Sequence, residues 1–327
     1  MSKAAPRVLL TGATGFVGSH LFPALERDGF EVVGATRDPE RARTSAPNRT
    51  FRHVDLDDPR SVEAALSEVD RAVYLVHSMG GGRRYADAER KNAQAFRAAA
   101  ERCGLERIVY LGGMRPNGAI SRHLKSRLAT GETLRSGSVP TVELQATMVV
   151  GGGSESFRIV RDLAARLPFM LLPRWLESRS QPVAIADVVA AIVHALTMPI
   201  EGSTVLAVPG PESLSGRDMI LRTARTLGHE PKVLGVPLVT PRLSSYWIRW
   251  VTRANPQVAT ELVEGLRSNI VADGPEIWDS MPDYPRTPFD DAVAIALREE
   301  ARELPMRSRV LERLLNVFSR HPSAHPS

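Results

Sequence analysis

The sequence holds one cysteine, Cys103. No disulfide can close within the chain, and a reducing compartment suits it. No cysteine and histidine spacing fits a metal centre, so none is expected. Long hydrophobic runs are missing too. The apolar stretches, residues 169–172 among them, fall far short of the ~20 residues that cross a bilayer. Met1-Ser2-Lys3-Ala4-Ala5-Pro6 carries no apolar h-region of a signal peptide. Together these absences predict a cytoplasmic protein with no transmembrane segment. Blocks of like charge are absent as well. The net charge is +5, nearly all of it arginine, but the cations are scattered among acids. That pattern describes a solvated surface, and nucleic-acid binding is not expected. With 43% hydrophobic and 24% charged residues in 327, the chain is long enough for one large domain and a smaller one. It contains no internal repeat.

What is present is organised around Val8-Leu9-Leu10-Thr11-Gly12-Ala13-Thr14-Gly15-Phe16-Val17-Gly18. An apolar run meets three glycines, and an amphipathic stretch follows at 19–27. The order is strand, tight turn, helix. Gly12 permits the sharp turn, Gly15 lets backbone approach a phosphate, and Gly18 lets the helix close on the strand. The first N–H groups of a helix have no internal partner, and its dipole favours an anion there. A pyrophosphate is the natural occupant, so Thr11, Gly12, Thr14, Gly15, Phe16, Val17 and Gly18 are the candidate cofactor loop.

Strand and helix patterns alternate through the first 150 residues, which predicts an α/β fold of Rossmann type, a doubly wound parallel sheet. A second strand, Glu31-Val32-Val33-Gly34-Ala35-Thr36, completes the βαβ unit. Arg37 follows it about 20 residues past the loop, with Arg41 and Arg43 close behind. A carboxylate at that position grips the 2′-hydroxyl of NAD, whereas an arginine accommodates the 2′-phosphate of NADP. NADP is therefore favoured over NAD, the other reading of Arg37 being a solvated loop arginine. A third strand at 51–54 runs into Asp55 and Leu56, with Asp57 and Asp58 available as caps for a helix at 61–68. A fourth strand at 72–76 ends at Val76 and His77, followed by the glycine-rich stretch 78–84. Further strands are expected at 108–111 and 142–150. Helices are expected at 85–102 and 121–135.

The glycine loop resembles that of the extended and atypical short-chain dehydrogenase/reductase (SDR) superfamily. The resemblance implies that Asp55 faces adenine, and that a Ser or Thr follows the fifth strand. It also implies a Tyr-x-x-x-Lys on the next helix, the tyrosine moving a proton and the lysine holding ribose. Here the fifth strand runs into Leu111-Gly112-Gly113-Met114, with no hydroxyl. The helix reads His123-Leu124-Lys125-Ser126-Arg127, so His123 and Arg127, four apart on one face, align with the tyrosine and lysine. This pattern is similar to a bacterial branch described as NAD(P)H-binding, NmrA-like, or predicted nucleoside-diphosphate-sugar epimerases. Histidine titrates near neutral pH, so His123 is the candidate acid/base, with Tyr74 and His77 as weaker alternatives. Arg127 is permanently charged and is a candidate to hold ribose or phosphate.

The domain reading is a dinucleotide domain over 1–150, rejoined by 181–208. A smaller α/β substrate-pocket unit takes 151–180 and 209–304, and a C-terminal helix and frayed tail take 305–327. Gly151-Gly152-Gly153 is the hinge between the two, and Asp187 is a cap for a helix at 188–196. Trp247 and Trp250 lie on an aromatic stripe among arginines. That stripe suits packing over the pocket or peripheral membrane contact.

Three functions fit. The first is an NADP-dependent oxidoreductase acting on an unidentified small organic carbonyl or enol, with His123 in place of the tyrosine. The second is an NADP(H)-binding redox sensor or assembly factor without turnover. The third, a sugar-nucleotide epimerase, ranks below both, since no second nucleotide pocket is evident.

Overall fold

The structure, a computed structural model, describes residues 5–76, 85–118, 120–166, 169–229, 232–236 and 268–303. His77, the stretch 78–84, the Trp247/Trp250 stripe, and the last helix and tail over 305–327 lie outside the described residues.

The first half alternates as expected. In chain order come β1 (Arg7–Thr11), α1 (Phe16–Arg27), β2 (Glu31–Thr36), α2 (Pro39–Ser45), β3 (Thr50–His53), α3 (Pro59–Leu66), β4 (Arg71–Tyr74), α4 (Tyr85–Cys103), β5 (Arg107–Gly113), α5 (Arg122–Arg135) and β6 (Thr141–Ala146). Then come β7 (Val149–Val150), α6 (Glu155–Arg166), β8 (Phe169–Pro173), β9 (Arg179–Ser180), β10 (Val183–Ala184), α7 (Ile185–Thr197), β11 (Thr204–Ala207), β12 (Leu214–Ser215), α8 (Gly216–Thr226), β13 (Lys232–Val236) and α9 (Phe289–Glu303). Seven strands form one parallel sheet in the order β11-β6-β5-β4-β1-β2-β3. The fold is a Rossmann-type α/β sandwich.

The central strands are buried on both faces, and their inward positions are apolar. Val8 and Leu10 of β1 point into a core with Leu21, Leu25, Val188 and Ile192 from α1 and α7. Leu9 points the other way, into a core with Val62, Leu66, Phe96 and Ala100 from α3 and α4. Each fully buried Leu or Val side chain contributes about 1.5–3 kcal/mol of transfer free energy.

The chain leaves the sheet after β6 and returns. β10 pairs with β7, α7 follows, and β11 adds the edge strand beside β6. Arg71 and Arg107, at the starts of β4 and β5, donate to the carbonyls of Leu196 (2.9 Å), Ala195 (2.9 Å) and Met198 (2.8 Å). They satisfy the carbonyl end of α7 and its negative dipole. A separate core of Phe157, Leu163, Met219, Ile220, Phe289 and Val293 joins α6, α8 and α9, with β8 and β13 pairing in parallel. Among the described residues, no helix is long and apolar enough to cross a membrane.

Several elements differ from the sequence expectations. α1 starts at Phe16, three residues early, because Gly15 takes the N-cap position. α2 is an added helix, with Asp38 accepting from the Arg41 N–H at 3.0 Å and Pro39 opening it. α7 begins at Ile185 with Ala184 at its cap, so Asp187 is not the cap. Asp187 is fully buried and accepts from the Tyr284 hydroxyl (3.1 Å), the Thr287 N–H (2.9 Å) and the Thr287 hydroxyl (2.8 Å). It latches α7 to the segment that leads into α9.

Candidate functional site

The glycine loop lies where the strand order reverses. From β1 the chain moves outward to β2 and β3, then crosses to β4 on the opposite side. Ligands of open α/β sheets bind at this point, beyond the carboxyl ends of the strands. Gly12 has φ +67°, and a Cβ there would stand 3.3 Å from Leu75 Cβ. The Gly15 N–H donates to the Gly12 carbonyl at 2.9 Å, closing the turn. A Cβ on Gly18 would lie 2.1 Å from the Gly12 oxygen and 2.8 Å from Ala13 Cα, so α1 seats on the loop only with glycine there. Gly15 supplies no side-chain cap, and the first turn of α1 carries no acid. The helix therefore presents its free N–H groups and positive dipole end to an external anion. These residues fit the diphosphate of a dinucleotide.

The other cofactor candidates border this loop from neighbouring strand ends. Thr14 and Gly15 are exposed, and Phe16 and Val17 are half-buried. Thr11 works from beneath: its hydroxyl donates to the Val73 carbonyl (3.1 Å) and accepts from the Leu75 N–H (2.9 Å). That bond pins β1 to β4 and ends β4 early. Arg37 follows β2, is exposed, and has no hydrogen bond or ion pair among the described residues. Arg43 is committed to Glu40 and to the Phe51 carbonyl. The Val54 N–H donates to the Thr36 carbonyl at 2.9 Å, which brings Asp55 and Leu56 to the same rim. Asp58 is the cap of α3. Asp55 accepts from the Asp57 N–H at 3.1 Å through one oxygen. Leu56 and Val76 are half-buried and pack on the core beneath.

The other candidate residues lie on α5, which follows β5, two strands from β1 in the sheet. Ser121 caps it, accepting from the Leu124 N–H at 3.3 Å. β5 continues past its pairing with β4, which ends at Tyr74 and Tyr110. Arg127 closes over that overhang, with Nη2 donating to the Leu111 carbonyl at 3.1 Å. Its Nε is buried and makes no hydrogen bond among the described residues. The Tyr110 hydroxyl donates to the Arg127 carbonyl at 2.9 Å. The glycine pair has a packing cause. A Cβ on Gly113 would be 2.6 Å from Leu124 Cδ1, and one on Gly112 would be 3.1 Å from Glu143 Oε1.

His123 is half-buried. Burial, reinforced by the positive charge of Arg127, pulls its pKa down to about 4. At pH 7 about one molecule in a thousand carries the imidazolium. The expectation of a proton donor working near neutral pH is thus revised. His123 is a neutral imidazole there, able to offer an N–H or accept a proton. Tyr74 is fully buried against Phe96 and Tyr110, and burial drives its hydroxyl pKa far up, which removes it from proton transfer. Lys125 is exposed on another face.

Two buried acids that the sequence did not flag hold α5 in place. Glu89 of α4 accepts from the Ser126 hydroxyl. Glu143 of β6 pairs with Arg135 at 2.8 Å and accepts from Gln145 at 2.9 Å. Its carboxylate occupies the space that a Cβ on Gly131 would fill. Glu89 and Ser126 are 37 residues apart, so no local pattern announces them.

Known proteins resemble this chain. Residues 12–135 match the NAD(P)H-binding family. A ceramide reductase of Caulobacter vibrioides is 25% identical over 238 residues, 70% of this chain and 73% of that protein. A (4-alkanoyl-5-oxo-2,5-dihydrofuran-3-yl)methyl phosphate reductase of Streptomyces griseus is 26% identical over 295 residues, covering 87% of this chain and 95% of its own length. The structure of Citrobacter sp. triphenylmethane reductase complexed with NADP(H) superposes with a TM-score of 0.70 at 16% identity, covering 89% of this chain and 99% of that one. Residues 12–135, somewhat more than a third of the chain, thus resemble the NAD(P)H-binding family, and the solved structures share the fold.

Proposed function

We propose that this protein is an NADP(H)-dependent reductase of a small organic carbonyl or enol compound, with α5 as its catalytic helix. The observation that carries the reading is a glycine loop shaped for a diphosphate at the end of β1 together with His123 and Arg127 on α5, which follows β5 two strands along the same sheet. Arg37, exposed and unpaired among the described residues at the end of β2, favours the 2′-phosphate of NADP. Two relatives named as reductases support the reaction class. The nicotinamide, when bound, supplies the hydride.

The chain's own residues supply the rest. Arg127 is anchored on the Leu111 carbonyl, and its permanent positive charge favours an oxygen of the cofactor ribose or of the substrate nearby. His123, neutral at pH 7, donates an N–H hydrogen bond to the substrate oxygen as negative charge grows there. The proton that finally neutralises that oxygen comes from water, because an imidazolium with a pKa of about 4 is too scarce to deliver it.

Incubating the chain with NADPH and a panel of carbonyl and conjugated substrates, at confirmed cofactor occupancy, tests the reading. NADPH oxidation is expected, with kcat reduced roughly 10–100-fold in His123→Phe and NADPH affinity unchanged. Consumption of no panel member would overturn it. A second reading, an NADP(H)-binding sensor or assembly factor, has its own observation. Both tyrosines near the site, Tyr74 and Tyr110, are locked in the core, and Gly112 and Gly113 replace the expected hydroxyl. A protein partner captured in only one redox state of the cofactor would favour that reading.

A further inference from the structure

We infer that Glu299, on the last described helix, is a positioning residue for the cofactor loop, acting through Gly152 and Phe16. The inference rests on the dinucleotide reading of that loop. It assigns to the smaller unit a role at the cofactor diphosphate.

The contacts run in series from α9 to the head of α1. Glu299 Oε2 accepts the Gly152 N–H at 3.0 Å. A Cβ on Gly152 would be 2.7 Å from Glu299 Cβ and 2.9 Å from its Oε2, so only glycine permits α9 to approach this closely. The flanking glycines receive the ring of Phe16. A Cβ on Gly151 would stand 3.0 Å from Phe16 Cζ, and one on Gly153 would stand 3.7 Å from Phe16 Cδ2. Gly153 has φ +87°, a turn that other residues adopt only with strain. Phe16 is the first residue of α1, and its backbone lies at the point where an anion meets the helix. On its other side the His20 ring sits edge-on to Phe16 at 5.3 Å, with Nδ1 donating to the Phe16 carbonyl at 2.9 Å. His20 Nε2 lies 3.8 Å from Glu299 Oε2.

Glu299 thus holds a glycine turn, the turn holds an aromatic ring, and the ring fixes the first turn of the anion-binding helix. Phe289–Glu303 is itself held at its start, where the Phe289 N–H donates to Glu212 at 2.8 Å and Asp187 fastens Thr287 just before it. The anchor at Glu299 is therefore fixed, and its loss is felt at Phe16. The role belongs to the accepting oxygen and not to the charge. A negative charge beside an anion site is by itself unfavourable.

This separates two variants. Glu299→Gln keeps an acceptor for the Gly152 N–H, and Glu299→Ala removes it. Calorimetric titration of NADPH into the full chain should give a dissociation constant roughly tenfold weaker in Glu299→Ala. In Glu299→Gln the constant should stay within about twofold of wild type, the rescue that marks the bond. Gly152→Ala, whose methyl group pushes the turn away from α9, should resemble Glu299→Ala, and it serves as the test if that variant does not fold. Unchanged affinity in a folded Glu299→Ala overturns the inference while leaving the cofactor reading intact. Equal losses in Glu299→Ala and Glu299→Gln also overturn it. No binding by the wild-type chain overturns the cofactor reading and the inference together.

Discussion

The glycine loop and α5 are built from different materials. The loop from Gly12 to Gly18 works through backbone alone: positive φ at Gly12, contact distances that exclude a Cβ at Gly18, and free N–H groups at the head of α1. The α5 helix works through side chains whose properties come from distant neighbours. Arg127 leans on Leu111, His123 is desolvated beside Arg127, and Glu89 and Glu143 fix the helix from behind. A backbone site depends on glycine spacing, which the sequence displays. A side-chain site depends on burial and charge, which only the fold assembles.

The largest effect expected from breaking this contrast is on the backbone side. Gly18→Val forces atoms into the Gly12 carbonyl and should cost roughly 3 kcal/mol or more of stability, read from urea unfolding. Stability close to wild type would mean that α1 does not seat on the loop as described. Next comes the desolvated histidine. The unfolded chain takes up a proton on His123 near its ordinary pKa of 6.5, and the folded chain resists until about pH 4. Between those values the unfolded state holds more protons, so stability falls as pH drops through the window. The full excursion is roughly 3 kcal/mol. His123→Gln should flatten that slope between pH 7 and pH 4.5 in urea midpoints, and an unaltered slope would assign it to other groups. A smaller effect is expected at Arg127. Arg127→Met should weaken NADPH binding about tenfold, and Arg127→Lys should recover it only in part, since an ammonium keeps the charge but lacks the planar fork that reaches the Leu111 carbonyl. The smallest effect belongs to Arg37. Arg37→Ala should reduce the preference for NADPH over NADH about fivefold in paired titrations, and an unchanged ratio would move the 2′-phosphate contact to another residue.

The ease of reading the sequence follows the same division. The β1 loop and the βαβ alternation were legible because each is a local signal. Asp187 was not. Its place in a predicted first turn looks like a cap, and the partners that make it a latch lie about a hundred residues downstream at Tyr284 and Thr287. Gly112 and Gly113 looked like the loss of a catalytic hydroxyl. In the fold they are also the clearance that Glu143 and Leu124 require. The spacing of His123 and Arg127 was visible, but the neutrality of His123 was not, because it comes from burial and from Arg127. Glu299 gave no signal at all. Its glycine partner is 147 residues away.

The account turns on an anion held at the head of α1, and calorimetric titration of NADPH into the wild-type chain tests that most directly. It predicts saturable binding of one dinucleotide per chain, weakened by salt because the contact is with a charged diphosphate. A flat titration, or binding with a salt-independent affinity, would contradict it.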